Sequence, residues 1–94
     1  MAVAIGTLKI SMPEARSLKD KRQIVKSLKD RVRREFNVSV AEMDLQDLWQ
    51  VAVLGVSAIS PDGKFAEAVI AKVADFARSD RRLYVTSFEV EVFA

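Results

Sequence analysis

Residues 17–36 read SLKDKRQIVKSLKDRVRREF, an amphipathic pattern that lies between two stretches rich in β-branched residues. Ser17, with Asp20 three residues later, approximates an N-terminal capping box, and the helical pattern continues to about Glu35. The apolar side chains recur at spacings of three, four and seven residues: Leu18, Val25, Leu28, Val32 and Phe36. Because such spacings place side chains on one face of a helix, we expect that face to pack against a sheet.

Strands are predicted before and after this helix. Residues 2–12 are apolar and β-branched, and Pro13 ends the run because proline cannot donate to a strand ladder. Alternation predicts a second strand from about Val38. Residues 49–59 are apolar on both parities, as in an interior strand that is covered on both faces. The short link at residues 45–48 makes the second and third strands a hairpin.

The C-terminal third predicts a second helix and a last strand. Residues 60–63, SPDG, are typical of a turn that opens a helix, with Pro61 in the first turn. The helix ends near Ser79, and its expected apolar face comprises Phe65, Val69, Val73 and Phe76. Residues 83–93 alternate as a strand. One side is expected to carry Tyr84, Phe88, Val90 and Val92, and the other Ser87, Glu89 and Glu91.

The predicted order is β-α-β-β-α-β, which is the ferredoxin-like α+β arrangement in a single domain, residues 1–94. Right-handed crossovers place both helices on one face of a four-stranded antiparallel sheet with strand order 4-1-3-2. The opposite face stays open, yet the first and third strands are apolar on both sides. Because a contiguous apolar patch usually marks an interaction site, we expect a homodimer through that face or an edge strand.

Charge is distributed unevenly along the chain. Residues 16–35 hold nine of the fifteen Lys and Arg residues and three acidic residues, a local charge of +6, whereas the remainder carries −4. Five of the basic side chains fall within an arc of roughly 80° around the helix axis: Lys19, Arg22, Lys26, Lys29 and Arg33. We call these five residues the basic stripe. It indicates nucleic acid, such as RNA or ribosomal particles, an anionic surface or an acidic protein as partner. An interaction or regulatory module with no nucleic-acid role is the alternative function, and a solvated helix face with no partner predicts the same pattern.

The composition excludes several chemistries. The chain has no cysteine and no histidine, so disulfides, thiolate or imidazole catalysis and Cys- or His-ligated metals are excluded. No enzymatic activity and no cofactor are expected. The first ten residues lack a signal-peptide pattern and no apolar run suits a membrane span, so a cytoplasmic location without membrane association is expected. Asn37 is the only asparagine, which is compatible with a thermophilic source.

Lys21 falls in the apolar arc of the first helix, where an unpaired ammonium would be costly. Glu42 has the parity of Val38 and Val40, so a Lys21–Glu42 ion pair is the simplest solution. An alternative is a ligand site formed by Lys21, Glu42, Asp44 and Asp47. The three carboxylates could in principle hold Mg²⁺, but the spacing lacks the glycine and terminal glutamate of a calcium loop, and no metal is expected.

Four segments carry a resemblance to a known family: SLKDKR (17–22), FNVSVAE (36–42), QDLWQ (46–50) and VLG (53–55). Together they resemble the small bacterial YlxP-like family, also catalogued as domain of unknown function 503, over nearly the whole chain. The resemblance implies a ferredoxin-like fold without an established activity. Members are often encoded beside translation initiation factor 2 and ribosome-binding factor A, which implies a link to translation or ribosome maturation. The family has no agreed catalytic residues to carry over.

Overall fold

A computed structural model describes residues 1–43 and 48–94 of the chain. The elements are β1 (Ala2–Ser11), α1 (Leu18–Glu35), β2 (Ser39–Glu42), β3 (Val51–Ser60), α2 (Gly63–Arg78) and β4 (Tyr84–Phe93). The strands form one antiparallel sheet in the order β2-β3-β1-β4, with both helices on one face. The predicted ferredoxin-like α+β fold is therefore confirmed. The link predicted at residues 45–48 lies, except for Leu48, outside the described residues.

The hydrophobic core lies between the sheet and the helices. Even-numbered residues of the two central strands face the helices and are buried, including Ala4, Leu8, Ile10, Ala52, Leu54 and Val56. Gly6 belongs to the same row, and a Cβ atom there would clash with the Ile70 side chain of α2. The missing side chain of Gly6 therefore lets α2 approach β1 closely.

The packing face of α2 differs from the sequence prediction. Its buried residues are Ala66, Ile70, Val73, Ala74 and Ala77. Val69 and Phe76 are half-buried, but Phe65 is 62% exposed, so its assignment to the buried face is wrong. The physical reason is that alanines, which add little to an apolar pattern, allow the helix to pack close to a sheet that carries small side chains.

The start of α2 also differs from the prediction. Asp62 is the N-cap, and its carboxylate accepts a hydrogen bond of 3.0 Å from the backbone N–H of Lys64. Pro61 therefore precedes the cap and does not lie in the first turn. The Asp62 side chain satisfies a backbone donor that would otherwise have no partner inside the helix, and this sets the first helical residue at Gly63.

β4 contains an irregularity that the alternating pattern does not reveal. Its register against β1 shifts after Lys9, and Thr86 is the extra residue of a β-bulge. The Thr86 hydroxyl donates a hydrogen bond of 3.2 Å to the Lys9 carbonyl. The bulge reverses the faces of the two residues that precede it in β4, so Val85 packs on the core and Tyr84 is exposed. The prediction that Tyr84 shares a face with Phe88 is therefore wrong.

A buried carboxylate fastens α1 to the turn between α2 and β4. The Asp80 side chain is 5% exposed and accepts hydrogen bonds from Arg82 Nη2 (2.7 Å) and Nε (3.0 Å), and from Arg31 of α1. Arg31 also stacks over the Phe76 ring, and Arg82 donates a hydrogen bond to the Ser27 hydroxyl. The hydrogen bonds from Arg82, with the support of Arg31, hold the pKa of Asp80 well below its usual range.

We expect Asp80→Asn to lower the free energy of unfolding at neutral pH by about 2 kcal/mol, because it removes charge-assisted hydrogen bonds at a buried site. Since the folded pKa lies below the unfolded pKa of about 3.9, the stabilisation is complete above that pH and declines as the pH falls below it. The difference in free energy of unfolding between the parent and Asp80→Asn should therefore become smaller in acid. Denaturant unfolding at a series of pH values measures it. Asp75→Asn, which removes an exposed pair with Arg78, is the control and should change little. A difference in free energy of unfolding that stays constant down to pH values well below about 3.9 would contradict a stabilising role for the ionised Asp80 carboxylate.

Candidate nucleic-acid interface

The basic stripe lies on the flank of α1 that faces away from α2. Four of its side chains are exposed and the fifth, Lys29, is half-buried. Arg31, which contacts Phe76 of α2, lies about 160° around the helix from the middle of the stripe. From Lys19 to Arg33 the stripe extends about 21 Å along the helix axis. The flank is therefore a straight row of cations that packing against α2 does not cover.

Contacts within the stripe divide it into two groups. Lys26 Nζ lies 2.8 Å from Asp30 Oδ2, and Arg33 Nη1 lies 3.8 Å from Asp30 Oδ1. The hydrogen bond from Lys26 lowers the pKa of Asp30, so this carboxylate stays ionised and offsets part of the local charge. Within residues 1–43 and 48–94, no carboxylate partner is found for three members of the stripe: Lys19, Arg22 and Lys29.

Arg33 connects the stripe to the edge of the sheet. Its Nη2 donates a hydrogen bond of 2.8 Å to the Val40 carbonyl of β2. The Met43 N–H donates a hydrogen bond of 2.7 Å to the Val53 carbonyl of β3. Because alternate residues of a strand direct their backbone N–H and C=O groups to opposite sides, those of Val40 point away from β3. Arg33 therefore covers part of the free edge of β2. No sequence pattern indicates this contact, because its acceptor is a backbone carbonyl.

Lys21 is a charged residue on the buried face of α1. Its side chain is 2% exposed, and Nζ donates a hydrogen bond of 2.7 Å to the Leu48 carbonyl and lies 3.4 Å from Glu42 Oε2. The Glu42 side chain is half-buried. The Lys21–Glu42 pair is thus formed as the parity argument predicts. The Leu48 carbonyl is a further acceptor that sequence reasoning missed, and it attaches the start of the segment before β3 to the first turns of α1.

The larger ligand site that the sequence suggested around Lys21 is only partly visible. Asp44 and Asp47 lie outside the described residues. A shallow depression of about 230 Å³ is lined by Leu18, Lys21, Arg22 and Glu42. In the part of the chain that the structure describes, no group of three acidic residues is arranged to hold a metal ion. Lys21 and Glu42 neutralise each other at this depression.

The open face of the sheet is divided into an apolar and an acidic part. Side chains of Ile5 and Ile59 on the central strands and Met43 beyond β2 are exposed there. On β4, Glu89 and Glu91 project from the same face, opposite Thr7 and Ile5 of β1. The apolar part continues into a depression of about 260 Å³ that is lined by residues of β1, β2 and β3.

Of the helices that the structure describes, none is long and apolar enough to cross a membrane.

Solved structures define the class of this protein. The chain aligns over its full length with two de novo designed proteins, Foldit4 and LFR1 1, the second of which has a ferredoxin fold. The TM-scores are 0.55 and 0.53, with 16% and 18% identity and coverage of 98% and 87% of the designed chains. The chain is therefore a ferredoxin-like α+β protein, and these similarities concern the fold alone.

Sequence comparison identifies the family within that class. Residues 3–90 match the family described as protein of unknown function, DUF503. The chain is also 35% identical over 80 residues to the uncharacterized protein YlxP of Bacillus subtilis (strain 168), an alignment that covers 85% of this chain and 87% of YlxP. The chain belongs to this YlxP-like family, as the four sequence segments implied. The family description names no activity.

We expect Lys21→Ala to lower the free energy of unfolding by roughly 3 kcal/mol, because it leaves the Leu48 carbonyl and the Glu42 carboxylate without their partner. Lys26→Ala is the matched control and should change stability little, since the Lys26 side chain is 77% exposed and solvent screens its pair with Asp30. Denaturant unfolding of both variants and the parent measures the difference. Equal stability of Lys21→Ala and Lys26→Ala would rule out a structural role for the buried pair.

Proposed function

We propose that the protein binds structured RNA through phosphate contacts made by the basic stripe, without catalysis. The observation that supports this is a row of five cations on an uncovered flank, three of which have no carboxylate partner in the described ranges. Within residues 1–43 and 48–94, these three cations make no ion pair that stabilises the fold. A local charge of +6 on a molecule whose net charge is +2 favours a polyanionic partner.

The chemistry of the stripe suits a phosphate backbone. Arg22 can fork onto two phosphate oxygens, whereas Lys19 and Lys29 act as point charges. Recognition through the sheet face requires exposed aromatic residues on central strands, and β1 and β3 contain none. Binding through the helix flank should consequently be salt-dependent and weakly sequence-specific. Together with the family resemblance, this favours ribosomal particles in the bacterial cytoplasm as the first RNA to test.

The test replaces the three cations without carboxylate partners: Lys19→Glu, Arg22→Glu and Lys29→Glu in one protein. We expect loss of binding to ribosomal particles in sedimentation, and to a labelled RNA hairpin in fluorescence anisotropy. For a variant with residual binding, the slope of log affinity against log salt should fall by about 0.9 for each duplex phosphate that the variant no longer neutralises. The fold should persist, because Glu at positions 19 and 22 lies near the helix N-terminus, where the dipole favours negative charge.

The matched control carries the same charge change elsewhere, with Lys64→Glu, Lys72→Glu and Arg81→Glu on exposed positions outside the stripe. This control should retain RNA binding, because its substitutions leave the α1 flank intact. If both triple variants bind equally well, the stripe is not the RNA site. If the parent itself does not bind, the RNA proposal fails, and the alternative is an interaction module whose stripe meets an acidic protein.

We also propose self-association through the open sheet face, because large apolar side chains are exposed on it. A four-stranded face whose three long strands have ten residues each measures at most about 33 Å by about 19 Å, so two such faces would bury at most about 1,200 Å². That area is at the lower end for a specific protein–protein interface. The expected assembly is therefore a homodimer of moderate affinity that buries the apolar part of both faces.

Sedimentation velocity of Ile5→Lys tests the dimer, because Ile5 lies on a central strand and is 42% exposed on the open face. We expect a shift from dimer to monomer, since a buried lysine without a partner is costly. Ala71→Lys, which adds the same charge to an exposed position of α2, should leave the dimer intact. A parent protein that is monomeric at tens of micromolar would overturn the proposal.

A further inference from the structure

Trp49, the only tryptophan of the chain, is 48% exposed. It lies in the turn that precedes β3, beside an apolar depression of about 300 Å³ that is lined by Leu48, Trp49, Gln50 and Val51. Among the described residues, Trp49 belongs neither to the hydrophobic core nor to the basic stripe. An exposed indole beside a shallow depression offers a flat aromatic face to a ligand.

The backbone on both sides of Trp49 is held in place. On one side, the Leu48 carbonyl accepts the 2.7 Å hydrogen bond from Lys21 Nζ. On the other, Gln50 Nε2 donates to the carbonyls of Pro13 at 3.1 Å and Ala15 at 3.3 Å. The Gln50 carbonyl in turn accepts a hydrogen bond of 2.8 Å from the Met12 N–H. The position of Trp49 is therefore fixed relative to the segment that leads into α1.

Those anchors place Trp49 at the end of the sheet where the basic stripe begins. Gln50 donates a hydrogen bond to the carbonyl of Ala15, the residue before Arg16. Lys21, which holds the Leu48 carbonyl, lies in sequence between Lys19 and Arg22 of the stripe. Two carboxylates at this end already have partners. Asp20 accepts a hydrogen bond from the Arg16 N–H, and Glu42 pairs with Lys21. Arg16, Lys19 and Arg22 are exposed there.

We propose that Trp49 is a stacking site for an unpaired nucleobase of an RNA whose phosphates lie on the basic stripe. The inference rests on the proposed RNA binding and adds a preference for RNA in which unpaired nucleotides adjoin a helical stem. Stacking on an aromatic ring tolerates any base, since every base has a π face. A stripe that contacts phosphates carries no such preference, so the preference would come from Trp49.

Because Trp49 is the only tryptophan, intrinsic fluorescence reports its contacts directly. The probes are two RNAs with the same stem, one with a loop of unpaired adenosines and one a blunt duplex. We expect the looped RNA to quench Trp49 fluorescence and to bind more tightly than the duplex. Trp49→Ala should weaken binding of the looped RNA by roughly five- to a hundredfold and leave duplex binding unchanged. Trp49→Phe should retain most of the affinity because it keeps an aromatic face.

Phe65→Ala is the matched control and should have no effect, because Phe65 is also an exposed aromatic residue but lies at the start of α2, at the opposite end of β3. Salt-dependent RNA binding without quenching, and with Trp49→Ala equal to the parent, would overturn the stacking site and leave the proposed function standing. Absence of RNA binding in the parent would overturn both. A change in fluorescence with protein concentration alone would assign Trp49 to a contact between copies of the chain instead.

Discussion

The rotation of α1 about its axis is the constraint on which the other features depend. Val25, Leu28 and Val32 are almost completely buried against the sheet. Burial of each such side chain contributes roughly 1.5–3 kcal/mol, whereas an exposed ion pair contributes about 0–1 kcal/mol. Packing and not charge therefore decides which face of the helix points inward. Once that face is fixed, the basic stripe must point away from α2, and Lys21 must enter the core.

Much of the fold could be predicted because hydrophobic patterns report on burial. The alternation in the strands and the spacing in α1 gave the element order, and crossover handedness gave the strand order. The errors arise where burial does not follow side-chain size. α2 packs through alanines against a row that includes Gly6, so Phe65, one of its two phenylalanines, stays outside. The bulge at Thr86 depends on backbone pairing, which the order of apolar and polar residues in β4 does not reveal.

The candidate site divides in the same way. The basic stripe is local in sequence, and the Lys21–Glu42 pair follows from helix phase and strand parity, so both could be predicted. The contact from Arg33 to the Val40 carbonyl could not, because every residue has a carbonyl and no residue type marks the acceptor. The Arg31–Asp80 pair joins residues 49 positions apart and depends on how the two helices lie side by side. Such contacts are consequences of tertiary packing.

The two proposed surfaces lie on different parts of the molecule and can act together. The basic stripe belongs to the helix layer, whereas the open face is the other side of the sheet. A dimer that joins two open faces would leave both α1 flanks exposed on its outer sides. Two stripes on one particle would convert the second RNA contact into an intramolecular event, which raises the apparent affinity without any new contact if the RNA can reach both stripes. The acidic residues Glu89 and Glu91 lie on the sheet face, so under the proposed function they would repel RNA from that surface and favour the helix flank.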